Sequence, residues 1–409
     1  MTTARRPPIA AAQSGLRSET VRSANLSTIL RGLHLRGPLS RSELGALTGL
    51  TRSSIGALVN ELVRLDLAVD RGTIAGGGRG RPSAVAAVAA GRNVVLAVQV
   101  AVDSLAVASV GLGGELRMVV RRDRTRDRVD LQVTIDDLVE MCNQVRTALP
   151  GDCRVHGIGV GVVGLVRRAD NSITVAPNLG WHEVPFGALL GSALGDRLAV
   201  HVANDADVSA LAELHRGVAV GVAEVLSVWG EVGVGGGIVS RGELITGDAG
   251  FAGEVGHIPV NPGGLPCGCG SIGCWETEVG EAALLRRAGL PVDGGPPAIE
   301  TLLKRAAAGD AVTLAALQEE ARWLGIGLAG LINVLNPGMV VLGGLFGRIH
   351  EYTAAAVGTE LERRALSSAR AELRVVPSLL GADAPLLGAA ELAFEHLLAD
   401  PQSVAPFAG

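Results

Sequence analysis

Aromatic side chains are scarce in this chain, at 2% of its 409 residues. So few rings cannot build the stacking platforms that proteins use along single-stranded nucleic acids. Long hydrophobic runs are absent too: the most apolar run, residues 155–166, is glycine-rich and falls well short of the roughly 20 residues that cross a bilayer. The polar first residues do not match a secretion signal. We therefore expect a cytoplasmic protein with no membrane partner.

Lysine is absent from the first 92 residues, where thirteen arginines stand against five acidic side chains. This segment has a net charge of +8, so the remainder must carry −13 to give −5 for the chain. The length allows two to four domains. A small basic segment ahead of a large acidic one predicts a nucleic-acid-binding module joined to a second domain, although drift in surface charge would produce the same split.

Three short helical patterns within residues 19–82 have the spacing of a helix-turn-helix. Asn25 is a candidate cap for the first helix, residues 40–43 form a capping box for the second, and Thr51 caps the third. The first turn of such a third helix meets base edges in the major groove. The positive charge favours DNA over a small protein-binding bundle. The residues expected to contact DNA here are Arg41, Thr51, Arg52, Ser53 and Ser54.

Residues 67–74 follow as a predicted β-hairpin wing with Gly72 near its turn, which completes a winged helix-turn-helix domain. The tract at residues 76–82 then places Arg79 and Arg81 on a glycine-rich backbone. Arginines of this kind fit a narrow minor groove, so we expect both to bind DNA, with a flexible linker as the alternative. Residues 1–18 are expected to form a disordered tail, and residues 83–92 a linker.

Strand and helix patterns alternate from residue 93 to residue 398, which predicts an α/β body followed by a short tail at residues 399–409. Within this body, Cys267, Cys269 and Cys274 follow His257 in a loop rich in glycine and proline. One imidazole and three thiolates are the ligand set of a closed, structural zinc site. We predict one zinc ion per chain. The alternative is a set of buried cysteines without a ligand.

Polar residues also follow a predicted strand at Asn204 and Asp205, and Glu254 stands three residues before His257. Together they supply donors and acceptors suited to the hydroxyls of a sugar. Each motif has a simpler explanation when taken alone. An Asn-Asp pair after a strand is typical of a turn with a helix cap, and a lone glutamate is usually on the surface.

The combination of these motifs resembles the ROK family of repressors, open reading frames and sugar kinases. The resemblance covers nearly the whole chain and implies an α/β, actin-like ATPase domain of two lobes (sugar kinase/Hsp70-like) behind a winged helix-turn-helix. It is carried by the winged helix, the Gly-Arg-Pro segment, Asn204–Asp205, residues 252–257, the cysteine cluster with Glu276, residues 331–337 and 342–344, and residues 385–390.

The resemblance also implies the ligands. In that family Asn204, Asp205, Glu254, His257 and Glu276 would contact the sugar, and Asn178 would join them. Zinc would be held by His257 Nδ1 with Cys267, Cys269 and Cys274. The other nitrogen of His257 would then be left for a sugar hydroxyl, so the metal would orient the sugar site.

Kinases of this family need two phosphate-binding loops, and this sequence departs from both. Residues 99–103 read Gln-Val-Ala-Val-Asp in place of Asp-x-Gly-Gly-Thr, and residues 231–233 read Glu-Val-Gly in place of Gly-Thr-Gly. Phosphates need glycine amides, a hydroxyl donor and bound magnesium, so these changes should abolish phosphoryl transfer and leave no ATP cofactor. Asp205, the base of a kinase, would then be a sugar ligand. Taken alone, the glycines at 233–237 would suggest a phosphate-binding loop, but the other residues that such a loop needs are missing.

The sequence therefore predicts a sugar-responsive, DNA-binding transcription regulator, most simply a repressor, that does not phosphorylate its monosaccharide effector. Paired operator half-sites predict a homodimer or homotetramer. The alternatives are a ROK-type, ATP-dependent sugar kinase with a regulatory DNA-binding head, and a scaffold in which both sites are vestigial.

Overall fold

The computed structural model describes residues 18–73, 84–126, 130–195 and 198–403. The chain divides into two compact units, called here the head (Met1–Ala90 with Glu395–Gly409) and the body (Gly91–Phe394). The expected N-terminal tail lies outside the described residues except for Ser18, which begins a helix. Every helix in the described part of the chain is too short or too polar to cross a bilayer.

Three helices and a small antiparallel sheet make up the described head. Its elements are α1 (Ser18–Arg36), β1 (Leu39–Ser40), α2 (Arg41–Thr48), α3 (Arg52–Arg64), β2 (Ala68–Thr73) and β3 (Ala84–Val88). The helix α1 begins seven residues before Asn25, so that residue lies inside the helix and does not cap it. The predicted capping box of α2 is present, since Ser40 and Glu43 each bond the other's backbone N–H. Thr51 caps α3 as predicted.

The wing differs from the prediction. Gly72 does not turn the chain, because β2 runs through it with an irregularity between Asp70 and Thr73. The partner of β2 is β3, within the segment expected to be a linker, and the sheet order is β1-β3-β2. The Gly-Arg tract therefore belongs to the connection between two paired strands. Arg79 and Arg81 themselves lie outside the described residues.

The end of the chain also differs from the expected tail. Residues 401–403 form a turn in which Pro401 is buried. Gln402 Nε2 donates to Glu61 Oε1 at 2.7 Å, and Arg22 Nε donates to the other carboxylate oxygen of Glu61 at 2.9 Å. Glu61 lies on α3, so the described C-terminal residues are part of the head.

The body contains two lobes, each built on a five-stranded sheet. Lobe 1 comprises β4 (Asn93–Val100), β5 (Ser104–Gly111), β6 (Leu116–Asp123), α4 (Leu131–Thr147), β7 (Arg154–Val162), β8 (Leu165–Arg167), β9 (Ser172–Ala176), β10 (Trp181–Val184), α5 (Phe186–Leu194), β11 (Val200–Asn204) and α6 (Asp205–Arg216). Lobe 2 comprises β12 (Val225–Gly230), β13 (Val234–Ser240), β14 (Glu243–Leu244), α7 (Trp275–Val279), α8 (Glu281–Arg287), α9 (Gly295–Ala307), α10 (Ala311–Leu335), β15 (Met339–Gly344), α11 (Leu345–Arg348), α12 (His350–Arg364), α13 (Ser367–Arg370) and β16 (Arg374–Pro377). The last helix, α14 (Ala384–Ala399), follows lobe 2 in the chain but packs against β7 and α6 of lobe 1.

The two large sheets have the same topology. Their strand orders are β11-β7-β4-β5-β6 and β14-β13-β12-β15-β16. In each sheet the first three strands in chain order are antiparallel neighbours, and the next two add in parallel beside the first. A duplicated sheet of this kind confirms the predicted actin-like architecture. The strand β4 is buried along its whole length and β7 from Gly157 to its end, which explains the mainly hydrophobic and glycine sequence of these segments.

Candidate functional site

A cleft of about 620 Å³ lies in the body and is lined by residues from both lobes. It contains all six residues expected to contact a sugar: Asn178, Asn204, Asp205, Glu254, His257 and Glu276. These residues come from four separate segments of the chain, and the fold brings the four segments together in one cleft. The polar groups converge on a concave, partly apolar surface, as small-molecule sites do.

The junction of β11 and α6 supplies two of these residues. Asn204 Oδ1 accepts from the N–H of Ala206 at 2.8 Å, and its Nδ2 donates to the carbonyl of Gly164 at 2.9 Å. Asn204 is therefore a helix cap as well as a cleft residue, and one Nδ2 hydrogen is left for a ligand. Asp205 follows at the first turn of α6, where burial raises its pKa to about 6.

The next two residues flank and end a short helical turn, Val255–His257: Glu254 directly precedes the turn and His257 is its last residue. Glu254 is half-buried, and its Oε2 lies 3.7 Å from His257 Nε2. Burial raises the pKa of the Glu254 carboxyl. Gly253 before it has φ +93°, and a side chain there would meet the carbonyl oxygen of Gly236 at 2.3 Å. Glu254 is thus a positioned cleft residue, which excludes the simpler explanation of a surface glutamate.

His257 is shared between the cleft and the cysteine cluster. Its Nδ1 lies 3.7 Å from Cys267 Sγ, while its Nε2 faces Glu254. The Sγ atoms of Cys269 and Cys274 are 3.6 Å apart, and all four candidate ligand atoms lie within 4.8 Å of one another. A tetrahedral zinc site with Zn–S of about 2.3 Å requires sulfur atoms roughly 3.8 Å apart. The cluster can therefore hold a metal ion with little rearrangement.

The loop that carries the cysteines is tightly folded. Cys274 and Pro259 form an antiparallel bridge, and Gly273 accepts from the N–H groups of Val260 and Asn261. A side chain at Gly273 would meet the Asn261 carbonyl oxygen at 1.6 Å, so glycine is required there. Asn261 Nδ2 also donates to Glu278 on α7 at 2.7 Å. These contacts join the metal-ligand loop to the core of lobe 2.

The residues in the place of the first phosphate loop leave little backbone accessible. Ala101 and Val102 are 3% and 4% exposed, and Gln99 lies within β4, between β5 and β7. Val102 lines the cleft with a hydrophobic side chain. Apolar side chains thus stand where the family resemblance implies phosphate-binding glycines.

The glycine run in the second loop has a packing role. Gly235, Gly236 and Gly237 lie in β13, and added side chains at 235 and 237 would meet the Cβ atoms of Ala206 and Ala210 at 2.7 and 2.4 Å. At Gly236 the contact would be with Val255 at 2.7 Å. These glycines let β13 approach α6 and the Glu254 loop closely. Close packing therefore explains the glycine run without a phosphate-binding role.

Two buried carboxyl groups that the motifs did not assign as ligands lie at the cleft or close to it. Glu231 lines the cleft and accepts from the indole of Trp229 at 3.1 Å; burial, followed by the charge of Asp205, raises its pKa to about 8. Asp207, on α6, is 3% exposed, and burial raises its pKa to about 7. Its Oδ1 is buried without a hydrogen-bond partner among the described residues.

The residues expected to contact DNA differ in their surroundings within the head. Arg52 is exposed on the first turn of α3. Thr51 Oγ1 lies 3.0 Å from the hydroxyls of both Ser53 and Ser54, so these three groups form one cluster. Arg41 donates to Asp70 of β2 at 2.9 Å and is therefore paired within the head.

The sequence of residues 95–396 matches the model of the ROK family. The chain belongs to the ROK family. The xylose repressor of Bacillus subtilis (strain 168) is 29% identical to this ROK protein over 380 residues, covering 92% of this chain and 97% of that repressor. The crystal structure of a ROK family transcriptional regulator, a homologue of the E. coli MLC protein, has a TM-score of 0.77 and 26% identity, covering 93% of this chain and 97% of that one.

A ROK family glucokinase from Streptomyces griseus, solved with glucose and AMPPNP, is similar over less of this chain. Its TM-score is 0.65 at 28% identity, and it covers 73% of this chain and 98% of its own. A substantial part of this ROK protein has no counterpart in the kinase, whereas the repressor and the regulator match it almost end to end. This full-length similarity supports the predicted function of a sugar-responsive repressor.

Asp207 provides a test of the electrostatics of the cleft. Its raised pKa means that the folded state holds the proton more tightly, so the carboxyl lowers stability progressively as the pH rises from about 4 to about 7. Asp207→Asn should therefore raise the free energy of unfolding at pH 8 by about 2 kcal/mol more than at pH 4.5. Denaturant unfolding at the two pH values measures this difference.

The matched control is Asp136→Asn, at an exposed position of α4, which should have little effect at either pH. An equal effect of Asp207→Asn at both pH values would contradict the assignment.

Proposed function

We propose that this ROK protein is a transcriptional repressor that binds a monosaccharide in the body cleft without phosphorylating it and binds operator DNA through the head. The observation that carries the proposal is the composition of one cleft. Six polar side chains suited to sugar hydroxyls are present, while Val102 and Val232 line it where the family's kinases need phosphate-binding groups. An operator-binding protein of this kind would act in the cytoplasm.

The polar groups suit a sugar because they combine acceptors and donors in fixed positions. Asp205 is held at the start of α6, and Glu254 and Glu276 lie on either side of the His257 ring, 3.7 and 3.6 Å from its two nitrogens. Carboxylates accept from hydroxyls, and an imidazole N–H or an amide donates to them. Asn178 and Glu276 approach the same point of the cleft, because an added Cβ at Gly233 would lie 3.9 Å from Asn178 Nδ2 and 3.0 Å from Glu276 Oε2.

Zinc is the metal that fits the cluster best, because three thiolates and one imidazole in tetrahedral spacing are its preferred structural ligands. One ion per chain would be held by His257 Nδ1, Cys267, Cys269 and Cys274. Binding requires each thiol to lose its proton. Cys267 Sγ lies 2.9 Å from Glu276 Oε1, so the cysteine cluster adjoins a second proposed sugar ligand besides His257.

Zinc and sugar binding are therefore expected to be lost together. The double variant Cys267→Ser with Cys269→Ser should bind no zinc, melt at a lower temperature and bind sugar at least tenfold more weakly, because the His257 ring loses its anchor. Metal analysis and titration calorimetry measure both properties. Cys153→Ser, outside the cluster, is the control. Full sugar affinity in the metal-free double variant would overturn the coupling.

The nucleotide half of the site argues against catalysis. A kinase needs close backbone amides and a magnesium-binding carboxylate at the first loop, and this chain has Ala101, Val102 and Gln99 there. Near the second loop, Glu231 adds a buried carboxyl group beside Asp205. Losing several electrostatic contacts, each worth about 10²–10³-fold in rate, leaves no useful phosphoryl transfer. Asp205 then serves as a sugar ligand.

The decisive experiment first screens monosaccharides by thermal shift and then tests the best binder in two assays. In calorimetry, Asp205→Asn and Glu254→Gln should each weaken sugar binding by roughly 5–150-fold, since a partner hydroxyl is left unpaired at about 1–3 kcal/mol. Asp170→Asn, on the exposed turn before β9, is the matched control.

In the second assay, protein, Mg-ATP and the same sugar should yield no sugar phosphate, with a ROK glucokinase as the positive control. Turnover in the range of about 1–10³ s⁻¹ would favour a kinase and overturn the proposal. Absence of a thermal shift with any sugar would favour a scaffold.

The head is the proposed operator-binding module. Arg52, Thr51, Ser53 and Ser54 lie at the start of α3, the part of a recognition helix that meets base edges. Arg41 would reach DNA only by releasing Asp70. Arg79 and Arg81, between the two wing strands, are proposed to add minor-groove and phosphate contacts. One such head binds few bases, so a homodimer or homotetramer with paired half-sites is expected.

Arg52 should decide sequence preference. After selection of an operator from randomised DNA by the full-length protein, Arg52→Ala should lower operator affinity by roughly 5–150-fold and reduce discrimination against other sequences. Arg64→Ala, at the opposite end of the same helix and also exposed, is the control. Unchanged sequence preference in the Arg52 variant, measured by fluorescence anisotropy, would contradict the placement.

A further inference from the structure

One arginine ties the two lobes of the body together. Arg126 follows β6 in lobe 1, and its guanidinium donates to Glu281 at the start of α8 in lobe 2, with Nη1–Oε1 at 2.5 Å and Nη2–Oε2 at 3.0 Å. The same Nη2 donates at 2.8 Å to Asp103, in the turn between β4 and β5. We call these three residues the interlobe clasp.

The clasp is well shielded from water. The side chain of Glu281 is 8% exposed, and those of Arg126 and Asp103 are about one-fifth exposed. The two-point contact with Glu281 is the bidentate geometry that gives arginine–carboxylate pairs their strength. Removing one partner would leave the other charges unpaired in a poorly solvated place, which costs far more than breaking a surface pair.

A second arginine fixes the turn that carries Asp103. Arg124 donates through Nε to the carbonyl of Val102 at 3.1 Å and through Nη2 to the carbonyl of Ala101. Its own N–H donates to the carbonyl of Asp103 at 2.8 Å. The turn is therefore held as a rigid unit, and the clasp acts on the whole turn.

Lobe 2 also contacts Arg126 through its backbone. Gly295 begins α9 with φ +57°, and an added Cβ there would lie 3.3 Å from Cζ of Arg126. The guanidinium thus packs against the start of α9 while it bonds the start of α8.

The clasp stands at one edge of the cleft. Val102 precedes Asp103, Gly280 precedes Glu281, and both Val102 and Gly280 line the cleft. Several acidic groups lie near one another here, and the charges of Asp205, Asp103 and Glu281 each contribute to the raised pKa of Glu231. The Arg126 cation offsets part of this negative charge. It bridges the lobes beside the first loop, the segment that the family resemblance implies would bind the nucleotide phosphates in a kinase.

We propose that Arg126 is a positioning residue that holds the two lobes at the separation required for effector binding. The cation that joins the two lobes is a side chain of the protein itself, so this separation of the lobes needs no bound nucleotide. The proposal rests on the proposed binding of a sugar in the cleft. Arg126 does not line the cleft, and it acts through the two segments that do.

The test uses the full-length, zinc-loaded protein and the variant Arg126→Met, which keeps an unbranched apolar stem and removes the guanidinium with its charge. Without any sugar, amide hydrogen exchange at residues 101–104 and 280–283 should become about tenfold faster. With the best-binding monosaccharide, affinity should fall about tenfold while the zinc content stays unchanged. Arg348→Met is the control, because Arg348 pairs with Glu300 at an exposed site.

A double-mutant cycle separates the clasp from a general loss of stability. Asp103→Asn and Glu281→Gln keep hydrogen-bonding side chains, so each should weaken the sugar affinity only about threefold. Combined with Arg126→Met, neither should weaken it much further, since the interaction is already lost.

Unchanged exchange in Arg126→Met, or faster exchange with full sugar affinity, would overturn the proposal. If the wild-type protein binds no sugar at all, the proposed function fails, and the exchange measurement alone decides the clasp. Should Arg126→Met not fold, Asp103→Asn replaces it: faster exchange at the same residues with about threefold weaker sugar binding supports the proposal, and no change in either overturns it.

Discussion

The close approach of α6 to β13 is the constraint on which the cleft depends. Gly235 and Gly237 leave bare backbone facing Ala206 and Ala210, so the helix and the strand pack at a distance that any side chain would prevent. This contact holds the start of α6, with Asp205, beside the loop that carries Glu254. A larger residue in β13 would separate the two carboxylates. The packing of α6 on β13 and the position of the two carboxylates therefore both depend on glycine in β13.

Long, periodic segments of the fold were predictable from the sequence. Strands and helices alternate through the body as predicted, and the first strand, β4, begins at residue 93, where the pattern was expected to start. The four candidate metal-binding residues could be found because their types and their spacing within one short segment point to a metal site. The six cleft residues come from separate segments, and the full set followed only from the family resemblance.

Other features depend on tertiary contacts that leave no local pattern. The strand β3 is built largely of alanine, which has a weak preference for strands, and pairing with β2 decides its conformation. Asn25 is a good cap residue, yet packing extends α1 past it. Arg126 and Glu231 are single charged residues whose role depends on partners at Glu281 and Asp205, far away in sequence. No spacing rule connects such pairs.

The turn at residues 401–403 has a consequence for how the protein is made. Gln402 bonds Glu61 of α3, and Pro401 is buried within the head, so this unit includes residues from both ends of the chain. During synthesis the first 90 residues leave the ribosome long before these partners exist. The head attains its full set of contacts only after residue 403 has been added and released. A nascent or prematurely terminated chain therefore lacks these contacts of the head.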